Sequence, residues 1–227
     1  MYFVWIYLGI FILFTGTHLY ASYLKKDSLR APTKLVILPA VLGMYLEWSH
    51  ALGTAPSTYV VFALVTSWLG DVLLIPKGIA WFTAGGLSFG LSHILFIMAY
   101  IESGIEFSAL NPFAVGAVTA IYVFVVTLLF RKLKRSLPHR LYYPTFLYLL
   151  ANGTMNVFVW LRILSGSCPG WSGIITVIGA LLFFISDCTL FFVHFDRNCP
   201  LKTHFPVMLT YSLGEFLIAL GFMLFML

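Results

Sequence analysis

Five side chains in this sequence carry acid–base chemistry into stretches that are otherwise apolar: Asp71, Asp187, His93, Glu215 and Lys34. An ionisable group at membrane depth costs at least about 2.5–3.5 kcal/mol on insertion scales, so such groups normally face a bundle interior or a watery cavity. Two carboxyl groups enclosed together resist ionising at once, which leaves one able to hold a proton while the other stays charged. Such a pair can protonate one end of a bond and activate water at the other. Ethers and acetals need that help, because their cleavage passes through an oxocarbenium-like cation that a nearby carboxylate stabilises. Asp71 and Asp187 are therefore the candidate catalytic residues. No Gly-x-Ser-x-Gly elbow, His-Glu-x-x-His pair or Walker loop accompanies them. With one histidine deep in a span, the sequence implies neither a metal nor a cofactor.

The elements that must position these groups follow from composition. Of 227 residues, 61% are hydrophobic, 18% aromatic and only 9% charged, with a mean hydropathy of +0.97. Soluble domains carry about a quarter charged residues, so a water-soluble globule, a disordered chain and a nucleic-acid binder are all excluded. At about 20 apolar residues per crossing, the runs between breakers predict eight spans near 2–24, 33–48, 57–75, 79–101, 110–130, 141–164, 171–195 and 205–227. The expected fold is an all-α polytopic bundle forming a single transmembrane domain over residues 1–227. The first span lacks a basic leader and is too long for a cleavable signal peptide. The Asn152-Gly153-Thr154 sequon lies inside a span, which argues against glycosylation. Three cysteines make no disulfide framework, and they read as buried or unreactive thiols.

Basic residues set the expected orientation. The odd-numbered connections and their edges hold Lys25, Lys26, Arg30, Lys34, Lys77, Arg131, Lys132, Lys134, Arg135, Arg140, Arg197 and Lys202, whereas the even ones hold none. By the positive-inside rule both termini should be extracytoplasmic or luminal and the odd loops cytoplasmic. Arg162, near the outer end of span six, is expected to snorkel. No retention or lipidation signal assigns a particular membrane, such as endoplasmic reticulum or plasma membrane.

Spacing places the polar groups on shared helix faces. Phe82, Gly85, Phe89 and His93 step by three or four, as do Gly179, Phe183 and Asp187, and Tyr211 and Glu215. The small residues, Gly85, Gly86, Gly90 and Gly179, permit close helix approach or a wide pocket. The aromatic ones suit the walls of an acyl-chain pocket. A weak internal echo pairs Gly70-Asp71-Val72-Leu73-Leu74 with Ser186-Asp187-Cys188-Thr189-Leu190, and the stretch around His93 with that around Glu215. It corresponds to parallel half-repeats over 1–110 and 111–227. Packed in that way, the five ionisable groups converge on one cavity opening toward the cytoplasm.

At these residues the chain resembles the lysoplasmalogenase (YhhN-like) family of eight-span membrane proteins. The resemblance is carried by Gly70-Asp71, by Phe82-x-x-Gly85-x-x-x-Phe89-x-x-x-His93, by Gly179-Ala180-Leu181-Leu182-Phe183-x-x-Ser186-Asp187, and by Tyr211 with Glu215-x-Leu217-Ile218. Two departures stand out: Glu215 occupies a place where the family pattern has Gln, and Lys34 is further from Pro39 than is usual. The resemblance implies hydrolysis of the vinyl ether bond of lysoplasmalogens to a fatty aldehyde and glycerophosphoethanolamine or glycerophosphocholine. Its partners would be a lysophospholipid substrate and the bilayer. On this basis one aspartic acid would protonate the alkenyl β-carbon, and the other carboxylate would stabilise the cation and guide water. His93 and Glu215 would be secondary proton carriers, with Ser186 and Tyr211 as hydrogen-bond partners. Phe82, Phe89 and Phe183 would line the chain pocket, and Lys34 would meet the substrate phosphate or the anionic bilayer surface. Two rival readings use the same residues: a proton-coupled transporter or lipid carrier with midplane carboxylates, and a non-catalytic relative that binds lysolipid.

Overall fold

The computed structural model describes residues 2–168, 170–196, 198–201 and 203–227, which form eight α-helices and no strand. The helices are α1 Tyr2–Tyr23, α2 Asp27–Leu52, α3 Thr58–Leu73, α4 Ile79–Glu102, α5 Pro112–Leu133, α6 Tyr142–Leu164, α7 Gly170–Phe195 and α8 Phe205–Phe225. Each expected span has its helix. Seven are long and apolar enough to cross a bilayer, while α3, at 16 residues, is shorter. The chain is a polytopic membrane helical bundle. The expectations that rest on Pro169, Arg197 and Lys202 lie outside the described residues.

Boundaries differ from the sequence reading chiefly in α2, which starts at Asp27 rather than near residue 33 and runs through Pro32 and Pro39. Its first turn is polar, so hydropathy alone does not register it. Asp27 sits favourably at the positive end of the helix dipole and pairs with Arg30 at 2.8 Å. Next to Pro32, Thr33 Oγ1 donates back to the Leu29 carbonyl at 2.6 Å, the i−4 bond of a threonine within a helix. The helix ends at Gly53, whose φ of 65° lets its N–H return to the His50 carbonyl.

Consecutive helices pack as neighbours within α1–α4 and within α5–α8, and the halves close where α4 meets α6 and α8 meets α2. The tightest contact joins α7 to α8. A Cβ on Gly179 would lie 2.7 Å from the Ile218 backbone nitrogen, and one on Gly214 would lie 2.8 Å from that of Phe183. Backbone therefore touches backbone there, which fixes Asp187 and Tyr211 relative to each other. Gly85 serves the same end between α3 and α4, with Leu74 side-chain atoms 2.9 Å from its would-be Cβ. Gly86 has open space instead, and Gly90 has ordinary contact with Tyr148 at 3.9 Å. Along the opposite edge α5 exposes Phe113, Ile121, Phe124 and Leu128, an apolar face matched to lipid.

Arg162 departs from the expectation of snorkelling. Its side chain is fully buried, with the guanidinium carbon 5.0 Å from the Phe222 ring centroid and 4.3 Å from that of Phe225. The rings of α8 cover it and attract it through their π faces.

Candidate functional site

A cavity of about 710 Å³ opens at the end of the bundle that carries the odd-numbered connections. Its mouth includes Asp27, Arg30 and Lys77, and its depths include Asp71, Asp187, Tyr211 and Phe89. Asp71 comes from the last turn of α3 and Asp187 from α7, more than half a chain apart in sequence. Both are almost wholly buried, and both line this one cavity.

Each aspartate is held differently. Asp71 has both oxygens engaged: Lys34 Nζ of α2 is 3.0 Å from Oδ1, and Tyr211 Oη of α8 donates to Oδ2 at 2.8 Å. A cation and a phenol on opposite oxygens suit an ionised carboxylate, since charge-assisted bonds are the strong ones. At Asp187 the contacts concentrate on Oδ2. Tyr148 Oη donates to it at 2.5 Å and Asn152 Nδ2 at 2.7 Å, both from α6. His93 Nε2 of α4 stands 3.3 Å from the same oxygen. Among the described residues Oδ1 has no hydrogen-bond partner, so that oxygen is free to carry a proton.

The other expected site residues divide into those at the cavity surface and those behind it. Lys34, Tyr211, Phe82, Phe89 and Ser186 line the cavity. Ser186 does not reach either carboxylate; its hydroxyl donates to the Val207 carbonyl at 2.9 Å and ties α7 to α8. His93, Phe183 and Glu215 are fully buried and lie behind the wall. The His93 ring packs 4.9 Å from the Phe183 centroid and 5.3 Å from that of Tyr148. Phe183 in turn packs 5.6 Å from Tyr211, so an aromatic partition joins the two aspartate settings. Both oxygens of Glu215 lack a hydrogen-bond partner among the described residues. Of the five ionisable groups, only Asp71, Asp187 and Lys34 face the cavity; His93 touches Asp187 from behind the wall, and Glu215 is buried apart from these contacts.

Tyr148 and Asn152 were not anticipated as functional residues. Asn156 extends the set, its Nδ2 donating to Asn152 Oδ1 at 3.1 Å, with Tyr122 Oη donating onward to Asn156 at 3.3 Å. The signal was present as a polar stripe at 148, 152 and 156, four residues apart on one helix face. A buried amide inside a span demands a partner just as a charge does, which the sequon reading obscured. Three histidines, His18, His194 and His204, also line the cavity. No group of three or more potential ligands suited to a metal ion occurs among the described residues.

Comparison with known proteins gives two positive findings. The YhhN family profile matches residues 4–222. Lysoplasmalogenase TMEM86A of Bos taurus is 28% identical over 201 residues, a stretch spanning 84% of this chain and 79% of the bovine protein. No solved structure matches the chain.

Proposed function

The chain belongs to the YhhN family, and from that premise we propose that it is a lysoplasmalogenase-type ether hydrolase acting inside the bilayer. The substrate is a 1-alkenyl lysophospholipid, and the products are a fatty aldehyde and the glycerophospho-headgroup. One observation carries the reading: two buried aspartates on distant helices share a cavity, one with both oxygens engaged by donors and the other with an oxygen left free. The bovine relative's name supplies the substrate class.

In this mechanism Asp187 is the acid. Its Oδ1 delivers a proton to the alkenyl β-carbon, the C=C pair forms the new C–H bond, and the positive charge moves to the ether carbon and oxygen. Tyr148 and Asn152 stabilise the carboxylate that Asp187 becomes. Asp71, kept charged by Lys34 and Tyr211, faces the oxocarbenium ion and accepts a proton from water as that water adds to the ether carbon. The hemiacetal hydroxyl proton passes to the glycerol oxygen as the carbon–oxygen bond breaks, giving aldehyde and a glycerol hydroxyl, and the proton taken up by Asp71 passes to Asp187, restoring both carboxyl groups. General acid–base help is typically worth about 10²–10⁴-fold, and fixed donors in a site screened from bulk water add to it.

The basic residues around the mouth favour a cytoplasmic opening with both termini on the far side. A two-half origin also has support. Asp71 is met from α2 and α8, and Asp187 from α6 and α4, which are the equivalent helices if α1–α4 repeat as α5–α8. The deciding assay uses purified protein in detergent with 1-alkenyl-glycerophosphoethanolamine and no ion gradient. Wild type releases aldehyde, and Asp187→Asn and Asp71→Asn each lower kcat by about 100-fold or more. Folded variants that turn over as fast as wild type would remove the dyad. Gradient-dependent movement of intact lipid without aldehyde would point to a carrier.

A further inference from the structure

The entrance to the cavity has a graded arrangement of charge along a single helix. Lys34, Arg30 and Asp27 are spaced by four and three residues on α2, so they share one face, and all three line the cavity. Their side chains become progressively more exposed toward the mouth, at 15%, 26% and 69%. Lys34 is committed to Asp71 at the reacting centre. Arg30 is only partly committed: Nη1 pairs with Asp27 at 2.8 Å, while its buried Nε has no partner. Opposite them Lys77 Nζ, which is almost fully exposed, stands 4.0 Å from Asp27.

We propose that this end of α2 is the headgroup subsite of the cavity, with Arg30 binding the phosphate and Asp27 the ammonium of a zwitterionic glycerophospho-headgroup. The proposal rests on the hydrolase reading for the position of the reacting bond. The spacing supports it. At 1.5 Å rise per residue, Arg30 lies about 6 Å beyond Lys34, and Asp27 about 4.5 Å beyond Arg30. In the substrate, phosphorus is five bonds from the ether oxygen and the amine nitrogen is four bonds further, spans of about 6 and about 5 Å for single bonds near 1.5 Å. With the ether oxygen at the Lys34–Asp71 level, phosphate therefore falls at Arg30 and the amine at Asp27. Lys77, 4.0 Å from Asp27, adds positive charge at the mouth. The local field agrees: burial, then Arg30 and Lys34, hold the nearby His204 imidazole down to about 4. The arrangement moves phosphate recognition from Lys34 to Arg30, leaving Lys34 to hold Asp71.

The test is equilibrium binding of three non-cleavable ligands to the full chain in detergent: 1-O-alkyl-glycerophosphoethanolamine, 1-O-alkyl-glycerophosphate and 1-O-alkylglycerol. Arg30→Gln is expected to weaken the two phosphate ligands about tenfold or more, because a charge-assisted bond is lost, and to change alkylglycerol less than twofold. Asp27→Asn is expected to weaken the ethanolamine ligand about threefold to tenfold while tightening the phosphate-only one, as Arg30 is released. Alkylglycerol binding also reports whether each variant is folded. Equal losses for all three ligands, or no loss in Arg30→Gln, would overturn the subsite. Aldehyde release by wild type from the alkenyl substrate is scored separately. Release with a flat binding pattern sinks the subsite and keeps the hydrolase, whereas the expected pattern without release does the reverse.

Discussion

Asn152→Leu isolates the contribution of a single hydrogen bond to the acid. Asn152 is fully buried and donates to Asp187 Oδ2 at 2.7 Å, on the oxygen opposite the one that carries the proton. Before proton transfer this bond meets a neutral carboxyl group; as the proton leaves Oδ1, it meets a carboxylate. Neutral hydrogen bonds contribute about 0.5–1.5 kcal/mol net and those to charged groups about 1.5–3, so the donor gains strength as the reaction proceeds. Only that gain appears in kcat. About 1–2 kcal/mol of lost differential stabilisation corresponds to a fall of about five- to thirtyfold, at about 1.36 kcal/mol per decade. KM should change little, because Asn152 does not line the cavity. Leucine has the same branching and number of side-chain heavy atoms, and the Asn156 amide keeps the backbone carbonyl of residue 152 at 3.1 Å as an acceptor, which limits the structural damage. Tyr148→Phe removes the companion donor from the same oxygen, so the double variant should deviate from additivity. Initial rates of aldehyde release over a substrate range provide the readout. A kcat within twofold of wild type, or a loss confined to KM, would refute the assignment of Asp187 as the acid.

Two further expectations concern the scaffold. Gly179→Ala should destabilise the detergent-solubilised protein by about 1–3 kcal/mol, as overpacking does, since its Cβ would meet the Ile218 nitrogen and the Gly214 carbonyl within 2.8 Å. Gly86→Ala, with nothing within 4 Å, should be neutral or gain up to about 1 kcal/mol of helix propensity, and the two melting curves should separate accordingly. The second concerns pH. His204 is held at about 4 against its usual 6.5, chiefly by burial and then by Arg30 and Lys34, so the fold favours the neutral ring. Its stabilising contribution is complete above pH 6.5 and disappears as pH falls from there through about 4. Melting temperatures over that window should decline more steeply for wild type than for His204→Gln; parallel curves would show that the ring is not what titrates.

Much of the protein was legible without coordinates. Eight apolar runs separated by Pro, Gly and charge specified eight helices, because a bilayer leaves a crossing chain no other way to satisfy its backbone. The aspartates were legible for a related reason, since an acid among so many apolar residues is costly unless it is used. What sequence could not supply was which groups meet in space. Hydropathy missed the polar first turn of α2, and with it the alignment of Asp27, Arg30 and Lys34, because a helix can continue into water beyond the apolar core. Helical periodicity placed Asp187 on one face with Gly179 and Phe183, but partners from α2, α4, α6 and α8 are far away in sequence from the aspartates they meet. Only packing brought Lys34 and Tyr211 to one carboxylate and Tyr148 and Asn152 to the other. The difference between two chemically identical side chains lies in those neighbours, and neighbours are set by how helices dock.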